Sequence, residues 1–244
     1  MKFLAGILSL FYYFFFGLVL GLMHIVQWLA YNLGGYKMHH ASVRIMNWLL
    51  IQCTKLLGTT YRFSGKENLP KDRPLIFVSN HQSLHDISPL EWYLSDYHPK
   101  FISKKELGKG IPSVSYNLRK GGSVLIDRND SRQALPEIAK LSKYIETHKR
   151  SAIIFPEGTR SRNGVLKSFH ETGLKILLKH APTALVVPVT INNSWKMVKD
   201  GMFPLGTGIG FTLEVHKPLN PRDFEFEELI DTIKKVIQAS LLTN

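Results

Sequence analysis

Residues 75–86 read "LIFVSNHQSLHD". Leu75–Ser79 is a short run of bulky and β-branched residues, the composition of a buried strand. It stops at Asn80, and a histidine and an aspartate, His81 and Asp86, follow at once. In open α/β sheets ligands collect beyond the carboxyl ends of strands, so this polar run lies where such a fold keeps its chemistry. On a regular helix a step of five residues turns a side chain by about 140°. His81 and Asp86 therefore meet only if the chain between them is a turn or the irregular start of a helix. If Asp86 accepts a hydrogen bond from one ring nitrogen, the other nitrogen of His81 keeps a lone pair and can take a proton from a hydroxyl. Asp86 would equally serve to stabilise the amino end of a helix. His85, next to Asp86, points away from it.

Working outward, other short apolar runs repeat the pattern: "SVLID" (123–127), "SAIIF" (151–155) and "LVVPVTI" (185–191), with "GFTLEVHKPL" (210–219) as a further strand. Longer helical patterns separate them, and the last, over 224–242, sets Leu229, Ile233, Val236, Ile237 and Leu241 on one face. This alternation predicts an α/β fold, a largely parallel central sheet with flanking helices. Polar residues follow two more strands: Asp127 and Arg128 after the second run, and "PEGTR" (156–160) after the third. The stretch "FPEGTRSRNG" (155–164) combines a carboxylate, a glycine that lets backbone approach a ligand, and two arginines, the side chain suited to bidentate phosphate recognition. A surface turn with solvated charges would have the same composition. "GTGIG" (206–210) is no dinucleotide loop, because it precedes a strand and opens no helix.

The amino-terminal part is different. From Phe3 to Tyr36 there is no Lys, Arg, Asp or Glu, a run long enough to cross a bilayer. Its apolar core is too long for a cleaved signal peptide. The next segment, "HHASVRIMNWLLIQCTKLLG" (39–58), carries Val43, Met46, Leu49, Leu50, Cys53, Leu56 and Leu57 at helical spacing. Arg44 and Lys55 stand near its ends, placed to snorkel to headgroups, which suits a helix lying in the membrane interface or re-entering one leaflet. Two arrangements fit: a true span, or a two-helix hairpin seated in one leaflet with "LGGYKMHH" (33–40) as its turn. The expected organisation is residues 1–58 as N-terminal membrane-anchoring helices and 59–244 as the α/β domain.

A net charge of +12 in 244 residues calls for an anionic partner, be it lipid headgroups, a phosphorylated substrate or nucleic acid. The basic residues are dispersed and no recognition motif accompanies them, so nucleic acid is not expected. Cys53 is the only cysteine, which excludes an internal disulfide and a thiolate zinc site. It lies in an apolar run and reads as a small buried hydrophobe. The neighbouring His39 and His40 point to different faces of any regular element, and no metal site is expected.

Taken together, these stretches resemble the glycerolipid acyltransferases, most closely the bacterial-type lysophosphatidic acid acyltransferases. "NHQSLHD" is similar to that family's first block, a histidine and an aspartate five positions on; "GGSVLIDR" (121–128) to the second; "FPEGTRS" (155–161) to the third; and "VVPVTI" (186–191) to the fourth. All four occur in family order over roughly residues 60–220. The resemblance implies His81 as general base and Asp86 as its orienting partner. It also implies Glu157, Gly158 and Thr159 at the acceptor site, Arg128 and Arg160 on the acceptor's phosphate, and Lys104, with Lys105 as an alternative, at a basic substrate-binding position. The implied reaction moves an acyl chain from a thioester, acyl-coenzyme A or acyl carrier protein, to the sn-2 hydroxyl of lysophosphatidic acid. No cofactor and no metal are implied. Such donors are cytoplasmic, so the expected seat is the cytoplasmic face of the cell membrane, against an anionic leaflet surface. Alternative readings are another acceptor (glycerol 3-phosphate, another lysophospholipid or a lyso-aminolipid) and a non-enzymatic basic peripheral membrane protein.

Overall fold

The computed structural model describes residues 2–242. Seven strands form one sheet: β1 Thr60–Ser64, β2 Leu75–Ser79, β3 Pro99–Lys104, β4 Val124–Ile126, β5 Ser151–Ile154, β6 Leu185–Asn192 and β7 Gly210–Val215, in the order β1-β7-β6-β2-β5-β3-β4. From β6 to β4 every pairing is parallel; β7 runs antiparallel to β6, and β1 is parallel to β7. The largely parallel α/β sheet expected from the alternating pattern is present. All of Leu75–Ser79 and Ser151–Ile154 are buried, as parallel strands covered on both faces require.

Strand period divides the core in two. Ile76 and Val78 face α4 (Ser131–His148), α5 (Thr172–His180) and α6 (Phe226–Ala239), packing with Leu141, Ile145, Leu174 and Ile233. Leu75 and Phe77 face the other way, toward α2 (Ile87–Tyr93), with Leu90, Leu94 and Phe211. The last helix is shorter than 224–242: Leu229, Ile233 and Ile237 are buried as expected, Val236 is half-buried, and Ile230 joins the buried face. Strands β1 and β3 are not expected from composition. Alternate residues of β1, Arg62 among them, are exposed, and β3 carries Lys100 inside and ends on Lys104. Pairing to neighbours, not apolar content, makes them strands.

The amino-terminal helix α1 (Lys2–Lys55) breaks at Gly35, whose φ of 60° and ψ of −152° are open only to glycine. Its halves fold back on each other: Leu20 and Met23 pack with Met46 and Leu50, and Tyr12 with Cys53. The two amino-terminal helices form a hairpin. One flank lies along the α/β domain for its whole length. Leu205 N donates to Ser9 Oγ at 2.9 Å, Ser113 Oγ to the Leu20 carbonyl at 2.7 Å, and the Tyr36 hydroxyl meets His98 Nδ1 at 3.0 Å.

This packing corrects one expectation. The stripe Val43, Met46, Leu50, Cys53 and Leu57, expected at the membrane interface, is buried against the first helix and the domain, and only Leu56 of the set is exposed. Arg44, expected to snorkel, lies 3.9 Å from Asp96 instead. The surplus apolar surface belongs to the first helix: Leu10, Phe11, Phe14, Leu18, Leu22, Ile25 and Leu29 are exposed, beside Ile45 and Trp48 of the second. The physical reason is plain. A helix with one apolar stripe spends it on its neighbour, while one apolar all round has a second face left over. A contiguous exposed apolar face of this extent marks a membrane-associating protein.

Candidate active site

Asn80 prolongs the sheet by one step. Its side-chain amide donates to the Ile191 carbonyl and accepts from Ile191 N, both at 2.8 Å, imitating a strand rung between β2 and β6. The chain then leaves the sheet at a fixed height. Gln82 and Ser83 belong to neither helix nor strand, with Ser83 extended; Leu84–Asp86 form a single 3-10 turn, and α2 follows. That irregular start is what the five-residue spacing demands. His81 Nδ1 lies 2.7 Å from Asp86 Oδ2, with the carboxylate wholly buried and the imidazole 13% exposed.

The same Oδ2 accepts Gln82 N at 2.7 Å and Ser83 N at 3.0 Å. Ser83 Oγ in turn accepts from His85 N at 3.1 Å. The two readings of Asp86 are thus both realised: one carboxylate ties the turn and holds the ring. Because an ionised carboxylate only accepts, Nδ1 carries the proton and Nε2 keeps its lone pair. The ring lies flat against Phe155, with centroids 4.1 Å apart. His85 has no part in this. It is buried edge-on to Tyr12 of the hairpin, and burial, opposed by Asp86 and assisted by Arg160, lowers its pKa to about 4.

The loop after β5 clamps the histidine backbone from both sides: His81 N donates to Glu157 Oε1 at 2.7 Å, and Ser161 N donates to the His81 carbonyl at 2.7 Å. The other oxygen of Glu157 accepts Lys167 N at 3.0 Å. Burial pushes this carboxyl's pKa up, and the two N–H donors oppose that. With both oxygens engaged, Glu157 shapes the site through the loops it joins. Gly158 turns the chain with φ of 66°, and its carbonyl accepts from the Arg128 guanidinium, which links the second block to the third. Thr159 and Arg160 are exposed; Lys167 Nζ braces them, 3.1 Å from Thr159 Oγ1 and 3.0 Å from the Arg160 carbonyl. Lys104 closes β3, exposed on the same edge of the sheet as Ile126 of β4, and Lys105 follows it. Direct contacts therefore join His81, Asp86, Glu157, Gly158 and Arg128, whereas Lys104 shares only the edge. Among the described residues, no group of His, Cys, Asp and Glu is arranged to hold a metal ion.

Ser194 was not singled out from sequence. It lies just past β6, beyond the fourth block, and its buried hydroxyl donates to Asp86 Oδ1. Its only sequence signal is a small hydroxyl residue after a strand at the site's edge. Phe155, though inside a quoted block, carried no signal either. A buried carboxylate oxygen left without its donor costs about 1–3 kcal/mol. Ser194→Ala should lower kcat about tenfold, on that scale, with KM unchanged, while Ser194→Thr keeps most of the activity. Native kcat in the alanine variant would remove this hydroxyl from the machinery.

Fold and site define a class: an α/β protein with an exposed apolar amino-terminal hairpin and its polar residues gathered at the carboxyl ends of parallel strands. The chain belongs to the Acyltransferase family, whose sequence model matches residues 60–192, more than half of its length. It is 32% identical over 186 residues to a chloroplast 1-acyl-sn-glycerol-3-phosphate acyltransferase of Brassica napus, covering 75% of this chain and 51% of that one. It is 29% identical over 212 residues to the 1-acyl-sn-glycerol-3-phosphate acyltransferase of Borreliella burgdorferi, covering 85% and 79%. The chain spans about half the length of the plant relatives, 51% and 42%. The crystal structure of the 1-acyl-sn-glycerophosphate acyltransferase PlsC from Thermotoga maritima superposes with a TM-score of 0.83 at 28% identity, covering 99% of this chain and 96% of that one.

Proposed function

We propose that this protein moves a fatty acyl chain from a thioester donor to the sn-2 hydroxyl of lysophosphatidic acid, giving phosphatidic acid. The observation that carries the reading is the His81–Asp86 pair, 2.7 Å apart beyond β2, in a chain of this family. The names of its relatives supply the acceptor. His81 Nε2 takes the proton of the acceptor hydroxyl as its oxygen attacks the thioester carbonyl. The imidazolium that forms is stabilised by buried Asp86 on Nδ1. The tetrahedral adduct then collapses, the carbon–sulfur bond breaks, and the leaving thiolate recovers the proton from Nε2. No acyl-enzyme is needed. Acyl transfer by the purified protein, with lysophosphatidic acid, glycerol 3-phosphate and a phosphate-free lysolipid each offered beside coenzyme A and carrier-protein thioesters, tests the reading. Transfer to the phosphate-free acceptor alone would overturn it.

Arg160 and Arg128, with Lys104 on the same edge, would hold the acceptor's phosphate. Losing a charged partner to a desolvated anion costs a few kcal/mol, on the order of 10²-fold. Arg160→Ala should lower kcat/KM for lysophosphatidic acid by about that factor and leave the donor's KM as it was. A change confined to the donor would reassign the residue.

The hairpin's exposed apolar face supports a seat in one leaflet. Its opposite flank is packed on the domain from Ser9 to Tyr36, so the first helix could not cross a bilayer without carrying polar loops into hydrocarbon. It therefore lies in one leaflet. Cytoplasmic thioester donors place that leaflet on the cytoplasmic side, and the net positive charge suits its anionic surface.

A further inference from the structure

The segment from Ser194 to Ile209, between β6 and β7, has a tip that nothing in the proposed reaction uses. Its base is fixed. Gly206 N donates to the Met197 carbonyl at 2.9 Å, Gly208 N to the Leu57 carbonyl at 2.8 Å, and Gly201 N to the Val198 carbonyl at 3.2 Å. Leu205 is buried with its N–H on Ser9, and the Tyr13 hydroxyl donates to the Met202 carbonyl. A Cβ at Gly206 would stand 2.3 Å from the Lys196 carbonyl oxygen, so the loop is pressed tightly onto its own stem. Yet this braced loop presents Met202 and Phe203 to the outside, each about half exposed at 50% and 53%.

The Phe203 ring comes to within 3.9 Å of where a side chain would begin on Gly6, in the first turns of the hairpin, beside exposed Phe3, Leu4, Ile7 and Leu10. Its apolar tip is thus continuous with the membrane-associating face. Lys196 and Lys199, each with Nζ 5.7 Å from the Trp195 ring, flank the stem with positive charge suited to anionic headgroups. The stem itself begins at Ser194, which holds Asp86, and Met197 packs on Tyr12 and Cys53 of the hairpin.

We infer that the Met202–Phe203 loop is a second lipid contact, entering the surface of an anionic leaflet beside the amino end of the hairpin. It rests on the hairpin as the first contact and not on the identity of the acceptor. A seat made mainly by one helix restrains rolling about that helix's axis only weakly. A second contact off that axis stops the roll, and the stem carries the constraint to the carboxylate of the catalytic pair. An aromatic side chain that is rigid and exposed in water gains by entering lipid without having to be ordered first.

The test uses the full chain with Phe203→Cys carrying an environment-sensitive fluorophore, mixed with phosphatidylcholine–phosphatidylglycerol vesicles with and without nitroxide-bearing lipid. The native protein, whose Cys53 is buried, is the labelling blank, and Lys143→Cys on α4 is the water-facing control. A blue shift and several-fold brightening at position 203, quenched by nitroxide near the headgroups and absent at 143, is the expected result. An unchanged spectrum at 203 while the protein co-floats with vesicles would overturn the inference. In a second arm, Met202→Ser with Phe203→Ser should slow acylation of a vesicle-borne acceptor about tenfold and spare a short-chain acceptor below its micellar concentration. Equal loss on both would make the loop structural and sink the idea. If the native protein acylates neither acceptor, the proposed reaction fails, and the fluorescence at 203 still decides the loop.

Discussion

His81→Ala should abolish acyl transfer, by about 10²–10⁴-fold as loss of a general base does, with folding and vesicle binding intact. The backbone of residue 81 is held by Glu157 and Ser161, not by its own ring, so alanine keeps both clamps. What it loses is the lone pair on Nε2 and the face packed on Phe155. The measurement is initial rate with saturating acceptor and donor, beside circular dichroism and vesicle flotation. Retention of more than about one tenth of the rate would end the base assignment, given that range. His85→Ala is the contrast. That ring is buried against Tyr12 and makes no hydrogen bond to the catalytic pair, so its removal should cost stability through the lost packing and only modestly reduce kcat.

Asp86→Asn should be nearly as severe, for a different reason. Asp86 Oδ2 accepts from three donors, His81 Nδ1, Gln82 N and Ser83 N. An amide offers one accepting oxygen. If that oxygen keeps all three donors, Ser194 Oγ accepts from the amide nitrogen, but the buried negative charge that stabilises the imidazolium is gone; if it serves Ser194, an N–H faces the ring and Nδ1 must give up its proton. In that tautomer Nε2 is protonated and can take nothing from a hydroxyl. In serine proteases the equivalent substitution costs about 10⁴ in kcat through the wrong tautomer. A loss of about 10²–10⁴-fold in kcat is expected here, with KM for both substrates nearly unchanged. Ring-proton NMR of His81 should show the tautomer shift directly, and a native Nδ1–H signal in an inactive variant would mean that the carboxylate acts by its charge.

Much of the site was legible because its parts sit in short continuous stretches. Strand-like runs ended where polar residues began, and the blocks around His81, Arg128 and Glu157 stood in an order that named the family. Some positions were not legible. Strand β1 has alternating exposure, and β3 holds a lysine; each becomes a strand through its neighbour. That Glu157 joins two loops, each of its oxygens accepting a backbone N–H, is a tertiary arrangement that its block does not spell out. Ser194 contacts Asp86 across 108 positions of sequence, a distance no local pattern spans.

The hairpin divides the same way. Its break was visible at the paired glycines, and its lack of charge between Phe3 and Tyr36 made a lipid environment the natural reading. Which face meets lipid was not visible. A periodic stripe says only that one side of a helix is apolar, and protein and membrane satisfy it equally well. The second helix gave its stripe to the first helix and the domain, and the exposed apolar surface fell to the first helix and to the loop at Met202 and Phe203. The sequence by itself determined the strands that carry chemistry, the residue types at their ends and the two amino-terminal helices, because each depends on neighbours within a few positions. Tertiary structure alone decided which helix face is left over and which distant hydroxyl completes the buried carboxylate, because burial is shared among all the surfaces that compete for it.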